Sequence, residues 1–121
     1  MKQKVVVVED DLPICEMYEF KLKKAGYDVK VAHNGADGEN LIKLFQPELI
    51  LLDLKMPIMT GDEMLERVRA TEWGAKLRVI VLTNISRDEA PHKLRFLNVD
   101  RYIVKAHHTP QQIIDIVKEL I

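Results

Sequence analysis

The feature of this chain that most limits its fold is the alternation of short apolar runs with segments of helical spacing. Five runs rich in Val, Ile and Leu occur at Lys4–Glu9, Asp28–Ala32, Glu48–Asp53, Leu77–Thr83 and Arg101–Lys105. These runs are continuously apolar rather than alternating, which is typical of parallel strands covered on both faces. A segment of helical character follows each run. The order therefore predicts an α/β fold, in which right-handed crossovers place five helices on the two faces of one parallel sheet.

Four of the five helical segments carry clear apolar stripes. The stripes consist of Ile14, Tyr18, Leu22 and Ala25; of Leu41, Ile42 and Phe45; of Met64, Leu65 and Val68; and of Ile113, Ile114, Val117, Leu120 and Ile121. Gly26 follows the first stripe as a helix stop. Thr109 and Pro110 precede the last stripe and predict an N-cap followed by the first helical residue.

The fourth helical segment is harder to place, because Pro91 lies within it. If Ser86 is the N-cap of a capping box, Pro91 falls inside the helix and removes a hydrogen bond. If Asp88 is the N-cap, Pro91 falls in the first turn, where a missing N–H is tolerated. We prefer the second start. It predicts a short, weakly anchored helix over about Glu89–Leu97, followed by Asn98 in a left-handed conformation.

Length and composition limit the class of protein. The 121 residues suffice for one domain. Lys and Arg total 18 against 19 for Asp and Glu, so a basic surface for direct nucleic-acid binding is not expected. The longest strongly apolar runs have four residues, whereas a membrane span needs about 20. The single cysteine, Cys15, cannot form an internal disulfide. We therefore expect a cytoplasmic protein of one domain over residues 1–121, without a membrane segment.

Charged or polar residues stand at the carboxyl ends of four predicted strands. They are Glu9 and Asp10 after the first strand, Asp53 at the end of the third, Thr83 at the end of the fourth and Lys105 at the end of the fifth. Taken singly, each is an ordinary strand-end residue, because strand ends meet water. However, the carboxyl ends of parallel strands share one edge of the sheet, where ligands bind in folds of this kind. The grouping therefore predicts a site.

The grouped carboxylates indicate a cation and a phosphoryl group. Two carboxylates about 4 Å apart repel by roughly 4 kcal/mol at an effective dielectric constant near 20. Mg²⁺ relieves such repulsion and typically binds one or two carboxylates, several waters and a phosphoryl oxygen. Lys105 and the Thr83 hydroxyl supply a positive charge and a hydrogen-bond donor for that group. Asp53 is then the candidate nucleophile, because carboxylates form aspartyl phosphates.

The chain resembles the receiver domain of two-component response regulators over its whole length. The resemblance rests on Glu9-Asp10, Asp53, Met56-Pro57-Ile58-Met59-Thr60-Gly61, Leu82-Thr83 and Tyr102-Ile103-Val104-Lys105, in this order. It implies a flavodoxin-like (βα)5 doubly wound sandwich of three layers, with the strand order 2-1-3-4-5. We expect a single receiver domain without an output domain, which is either a stand-alone regulator or a fragment of a longer protein. Such a domain is a phosphoacceptor in signalling and at most catalyses its own phosphorylation and dephosphorylation.

The resemblance implies a phosphoacceptor and a magnesium site. Asp53 would accept a phosphoryl group from the phosphohistidine of a sensor histidine kinase or phosphotransfer protein. Asp10, Asp53 and the backbone carbonyl of Lys55 would bind Mg²⁺, with Glu9 assisting through water.

The resemblance further implies a conformational switch. Thr83 and Lys105 would contact the phosphoryl oxygens, and Tyr102 would swing inward as Thr83 moves. Phosphorylation would then change the face formed by the fourth helix, the fifth strand and the fifth helix. That face would bind a downstream protein or a detached output domain.

Two of the residues that directly follow site residues depart from the pattern of this family. Ala106 stands where a proline, joined by a cis peptide, usually follows the lysine, and Asn84 stands where Ala or Gly usually follows the threonine. A cis bond to a residue other than proline costs about 2.5–4 kcal/mol. We therefore expect a trans peptide between Lys105 and Ala106. The two departures also keep a second hypothesis open, that of a receiver-like interaction module that is not phosphorylated.

Two other classes of protein with related features fit the sequence poorly. A flavodoxin-like electron carrier needs a hydroxyl- and amide-rich loop after the first strand, whereas the carboxylates of Glu9–Asp11 would repel a flavin phosphate. A phosphatase of the haloacid dehalogenase type needs a second aspartate two residues after the nucleophile, where Lys55 stands.

Overall fold

The computed structural model describes residues 1–121 and contains one sheet of five parallel strands. The strands are β1 (Lys4–Val8), β2 (Asp28–Ala32), β3 (Leu49–Leu52), β4 (Arg78–Thr83) and β5 (Arg101–Val104). They lie in the order β2-β1-β3-β4-β5, and each neighbouring pair is parallel. The predicted doubly wound α/β fold and its strand order are therefore confirmed.

Four α-helices cover the sheet: α1 (Leu12–Lys24), α2 (Gly35–Phe45), α3 (Gly61–Arg69) and α4 (Pro110–Leu120). The Thr109 side chain accepts a hydrogen bond from the Gln112 N–H at 3.2 Å, and Pro110 begins α4, as predicted. Gly26 follows the end of α1 with a φ of 102°, which is the left-handed conformation expected of a helix stop. None of these helices has the length and apolar character needed to cross a membrane.

The predicted helix over Glu89–Leu97 is wrong in type. Two short 3₁₀ segments, Arg87–Glu89 and His92–Phe96, replace it. Ala90 lies between them in an extended conformation with a ψ of 148°, because a residue that precedes a proline is disfavoured in the helical region. Pro91 therefore divides the segment instead of starting a helix. Asn98 has a φ of 53°, and its predicted left-handed conformation is confirmed.

Alternate residues of β1 enter two separate cores, which explains why its run is apolar throughout. Val6 and Val8 lie in a cluster of 16 buried residues on the face covered by α2 and α3. Val5 and Val7 lie in a cluster of 15 buried residues on the face covered by α1 and α4. The sheet is the middle of three layers, as predicted.

The register of the sheet positions the site. Val8 pairs with Leu52, so Glu9 and Asp53 are the residues that leave β1 and β3 at the same edge. The Asp53 N–H donates to the Val8 carbonyl at 3.0 Å, which extends the pairing by one residue. The strand order reverses at this point, where ligand crevices form in open parallel sheets.

Candidate functional site

Three carboxylates meet at the reversal of the strand order. Glu9 and Asp53 are buried, with 4% and 8% of their surfaces exposed, whereas Asp10 is exposed. One carboxylate oxygen from each lies within 4.8 Å of the others. The structure thus brings together the three acidic residues that the sequence singled out.

Backbone N–H groups orient the two buried carboxylates. Oδ1 of Asp53 accepts a hydrogen bond from the Leu54 N–H at 2.8 Å. Oε2 of Glu9 accepts one from the Asp11 N–H at 3.1 Å. In each carboxylate the second oxygen faces Lys105, so both side chains are fixed by two partners.

Lys105 supplies the positive charge of the cluster. Its Nζ donates a hydrogen bond to Oε1 of Glu9 and lies 3.4 Å from Oδ2 of Asp53. Burial lowers the pKa of Lys105, but the hydrogen bond to Glu9 and the charge of Asp53 raise it by more, so its net shift is upward. Lys105 therefore remains charged beside the candidate nucleophile.

The pKa of Glu9 is raised to about 7, mainly by burial and also by the nearby charge of Asp53, against the lowering effect of the hydrogen bond from Lys105. The upward shift of the Glu9 pKa follows because the buried cluster contains more negative than positive charge and is poorly solvated. The cluster is therefore short of positive charge when only Lys105 is present.

Thr83 and Tyr102 both contact the residue that follows Asn84. Thr83 is 1% exposed, and its Oγ1 accepts a hydrogen bond from the Ile85 N–H at 3.3 Å. The Tyr102 hydroxyl donates to the Ile85 carbonyl at 2.7 Å. The Arg87 guanidinium lies 5.6 Å from the centre of the Tyr102 ring. The predicted switch residues are therefore joined through Ile85.

A cleft of about 440 Å³ contains these groups. Its lining consists of Glu9, Asp10, Asp11, Ile14, Asp53, Lys55, Thr83, Asn84, Ile85, Glu89 and Lys105. The cleft includes every residue of the predicted phosphoryl and metal sites, while Tyr102 lines a neighbouring cleft. We call the first the acidic cleft.

The peptide between Lys105 and Ala106 is trans, as predicted, since the chain contains no cis peptide bond. Residues Lys105–His107 form a 3₁₀ turn directly after β5. Lys105 nevertheless reaches both Glu9 and Asp53. The lysine therefore occupies the site without the proline that usually follows it.

Sequence reasoning missed Glu89 as a residue of the acidic cleft. Glu89 was expected near the start of a helix, and its direction there could not be read from spacing. The 3₁₀ segment turns it toward the acidic cleft, while its neighbour Asp88 lines the cleft around Tyr102. The only sequence signal was Pro91, which makes a continuous helix unfavourable.

The ligand set fits a hard divalent cation. Glu9, Asp10 and Asp53 offer carboxylate oxygens, and neither sulfur nor imidazole is among the residues that line the acidic cleft. Oxygen ligands of this kind suit Mg²⁺ and Ca²⁺ rather than softer metals. The exposed position of Asp10 gives an ion access from solvent.

Comparison with known proteins decides the family. A family model described as the response regulator receiver domain matches residues 5–118. The chain belongs to the response regulator receiver family. Receivers of this family are signalling domains of two-component systems rather than classical enzymes, and they interact with histidine kinases and output partners. They generally bind Mg²⁺ at an acidic pocket, which in this receiver corresponds in position to the cluster around Asp53.

Solved structures of other receivers share the fold. The chemotaxis response regulator CheY4 of Vibrio cholerae is 24% identical, with a TM-score of 0.90 and coverage of 100% of both chains. A CheY-like receiver domain protein from Methanospirillum hungatei is 27% identical, with a TM-score of 0.87 and coverage of 98% of this chain and 93% of that one. The N-terminal domain of an uncharacterized protein from Wolinella succinogenes is 30% identical, with a TM-score of 0.87 and the same two coverages of 98% and 93%.

Proposed function

We propose that this receiver accepts a phosphoryl group on Asp53 from the phosphohistidine of a sensor histidine kinase or phosphotransfer protein, in a Mg²⁺-dependent reaction in the cytoplasm. The phosphorylated form then controls a downstream protein or an output domain. The observation that supports this most strongly is the meeting of Asp53, Lys105 and two further carboxylates in one cleft at the strand-order reversal.

Phosphoryl transfer to Asp53 makes limited demands on the protein. An oxygen of the Asp53 carboxylate attacks phosphorus, the P–N bond to the donor histidine breaks, and the imidazole leaves. Negative charge is carried by the three phosphoryl oxygens during this step, so positioned positive charge and hydrogen-bond donors do most of the catalysis. Lys105 lies 3.4 Å from the Asp53 carboxylate and Thr83 lines the same cleft, so both are candidates to bind those oxygens.

The magnesium site would consist of Asp10, Asp53 and the backbone carbonyl of Lys55, with Glu9 assisting through water. A bound Mg²⁺ supplies the positive charge that lets a phosphoryl anion approach carboxylates. Lys105, held by its hydrogen bond to Glu9, contacts one oxygen of Asp53, and the Leu54 N–H donates to the other, so the carboxylate has a fixed orientation.

The proposed switch begins at Thr83. Its Oγ1 accepts from the Ile85 N–H, and Tyr102 donates to the carbonyl of the same residue. If the Thr83 hydroxyl turns to donate to a phosphoryl oxygen, its hydrogen bond with Ile85 is disturbed, and the acceptor of Tyr102 moves with it. The change then reaches β5 and the two 3₁₀ segments, which form the proposed partner surface beside α4.

Asn84 favours a second candidate function, that of a receiver-like interaction module without phosphorylation. Its side chain is bulkier than the Ala or Gly usual at this position, and it lines the acidic cleft. This candidate predicts that the domain binds partners in one state only.

A phosphate-affinity gel distinguishes the two candidates. The parent protein, Asp53→Ala and the matched control Asp28→Ala are incubated with Mg²⁺ and either acetyl phosphate or phosphoramidate, and a duplicate set contains EDTA. Asp28 begins β2 and is exposed, at the edge of the sheet opposite the carboxyl ends of the strands. We expect a retarded band in the parent and Asp28→Ala, and none in Asp53→Ala or with EDTA. The absence of a retarded band from the parent would support the unphosphorylated module.

A further inference from the structure

The 3₁₀ segment Arg87–Glu89 presents two adjacent acidic side chains to two different clefts. Glu89 lines the acidic cleft together with Asp53, Lys55 and Thr83. Asp88 instead lines the cleft that contains Tyr102. Successive residues of a 3₁₀ helix point about 120° apart, because it has three residues per turn. The carboxylates of Asp88 and Glu89 therefore face two different clefts, although they are adjacent in sequence.

Glu89 is the carboxylate of the acidic cleft that has neither a structural partner nor a place in the proposed cation site. The acidic cleft is lined by five carboxylates and two lysines. Glu9, Asp10 and Asp53 form the proposed cation site, and Asp11 caps α1 by accepting from the Ile14 N–H at 3.1 Å. Glu89 is exposed and its carboxylate forms neither an ion pair nor a hydrogen bond. Its charge is therefore free to act on molecules that enter.

We propose that Glu89 is a specificity-determining residue of the phosphorylation reaction, which disfavours free phosphodonors of high negative charge. This inference rests on the proposed phosphorylation of Asp53. A carboxylate at the acidic cleft repels a dianion more strongly than a monoanion, because the interaction scales with the product of the charges. A phosphohistidine presented by a docked protein has contacts outside the cleft that outweigh this repulsion, whereas a small donor has none.

Two small donors separate charge recognition from chemistry. At neutral pH acetyl phosphate is a dianion, and phosphoramidate is a monoanion whose nitrogen is already protonated. With each, an oxygen of the Asp53 carboxylate attacks phosphorus and forms the same acyl phosphate. The bond that breaks is P–O in the first case, releasing acetate, and P–N in the second, releasing ammonia. The ratio of the two phosphorylation rates therefore measures how strongly the acidic cleft disfavours the donor of higher negative charge.

The test compares the parent with Glu89→Gln, and with Asp88→Asn as a matched control. Initial phosphorylation rates are measured with both donors in the presence of Mg²⁺, at low ionic strength and in about 1 M KCl. We expect Glu89→Gln to raise the ratio of the acetyl phosphate rate to the phosphoramidate rate about fivefold at low ionic strength. The gain should nearly vanish in about 1 M salt, where the screening length is about 3 Å. Asp88→Asn should keep the ratio of the parent.

A structural role of Glu89 would give a different result. A change in folding alters both rates together and leaves their ratio and its salt dependence as in the parent. That outcome, or an equal rise of the ratio in Asp88→Asn, would overturn the role of Glu89 while phosphorylation of Asp53 stands. The absence of any phosphorylation of the parent with either donor would overturn the proposed function and this inference with it.

Discussion

Replacing Lys105 with methionine tests the electrostatics of the site. Lys105→Met keeps most of the length and the apolar stem of the side chain but removes the ammonium group that pairs with Glu9 and lies 3.4 Å from Asp53. The two carboxylates that remain are both buried. Breaking a buried ion pair by removing one partner is strongly destabilising, because the other charge is left without compensation.

The size of the effect follows from the geometry. The carboxylate oxygens lie within 4.8 Å of one another. Their mutual repulsion is present with or without the lysine. The substitution removes the attraction between the Lys105 ammonium and Oδ2 of Asp53, which is about 5 kcal/mol at 3.4 Å and an effective dielectric constant of about 20. Removing the ammonium also removes the cost of burying it, which offsets part of the loss. We therefore expect Lys105→Met to lower the free energy of unfolding by about 2 kcal/mol in Mg²⁺-free buffer at pH 8.

Urea unfolding followed by circular dichroism measures this difference. Adding Mg²⁺ should reduce the deficit of Lys105→Met, because a cation bound by the same carboxylates replaces the missing charge. Lys55→Met is the matched control, since Lys55 lines the same cleft but is exposed and forms no ion pair. It should change the free energy of unfolding by at most about 0.5 kcal/mol. A Lys105→Met protein as stable as the parent, or a deficit that Mg²⁺ leaves unchanged, would refute the reasoning.

Three further predictions concern other parts of the molecule. Burial raises the pKa of the Cys15 thiol to about 12, so the free energy of unfolding should fall as pH rises from the ordinary thiol pKa toward 12. Ellman's reagent at pH 9 should modify Cys15 in the unfolded chain at least about a hundredfold faster than in the folded protein, and equal rates would contradict this. Lys55 and Ile85 line the acidic cleft but offer no group that orients a hydrolytic water. Lys55→Asn combined with Ile85→Glu should therefore speed the dephosphorylation of Asp53 by about tenfold, and an unchanged rate would count against this reasoning. Beryllofluoride with Mg²⁺, a phosphoryl mimic, should alter hydrogen exchange around Thr83–Leu97, and unaltered protection with the mimic bound would exclude the proposed switch.

Most of the fold and the site could be predicted because the signals are local. Each strand is a short apolar run, and each site residue directly follows such a run. Once the strands are parallel, their ends must share one edge, so Asp53, Thr83 and Lys105 could be grouped before any distance was known. The strand order itself came from the family resemblance, since apolar runs do not specify which strands are neighbours.

The region after β4 could not be predicted because long-range contacts decide its conformation. Leu94 and Leu97 are buried in the core beside α3. The Arg69 guanidinium donates to the Leu97 carbonyl at 2.8 Å and to the Asn98 carbonyl at 2.9 Å. These contacts hold the end of the segment in place, and Pro91 interrupts its middle. The spacing of apolar residues alone predicts one continuous helix over the same segment.

The ion pair between Glu9 and Lys105 also could not be predicted from the sequence. The two residues lie 96 positions apart, and the lysine was expected to serve the phosphoryl group alone. In the structure Lys105 also forms an ion pair with the buried Glu9. The sequence also could not predict that Glu89 lines the acidic cleft, because this depends on how the 3₁₀ segment Arg87–Glu89 is rotated relative to the sheet.

The most direct test of the central claim is to locate the phosphoryl group by mass spectrometry. The protein is incubated with a donor and Mg²⁺, reduced with borohydride to convert the acyl phosphate into a stable product, and digested. We predict one phosphoryl group per chain before reduction, and the reduced residue at position 53. No gain in mass, or a gain that Asp53→Ala retains, would contradict the assignment of this receiver as a phosphoacceptor at Asp53.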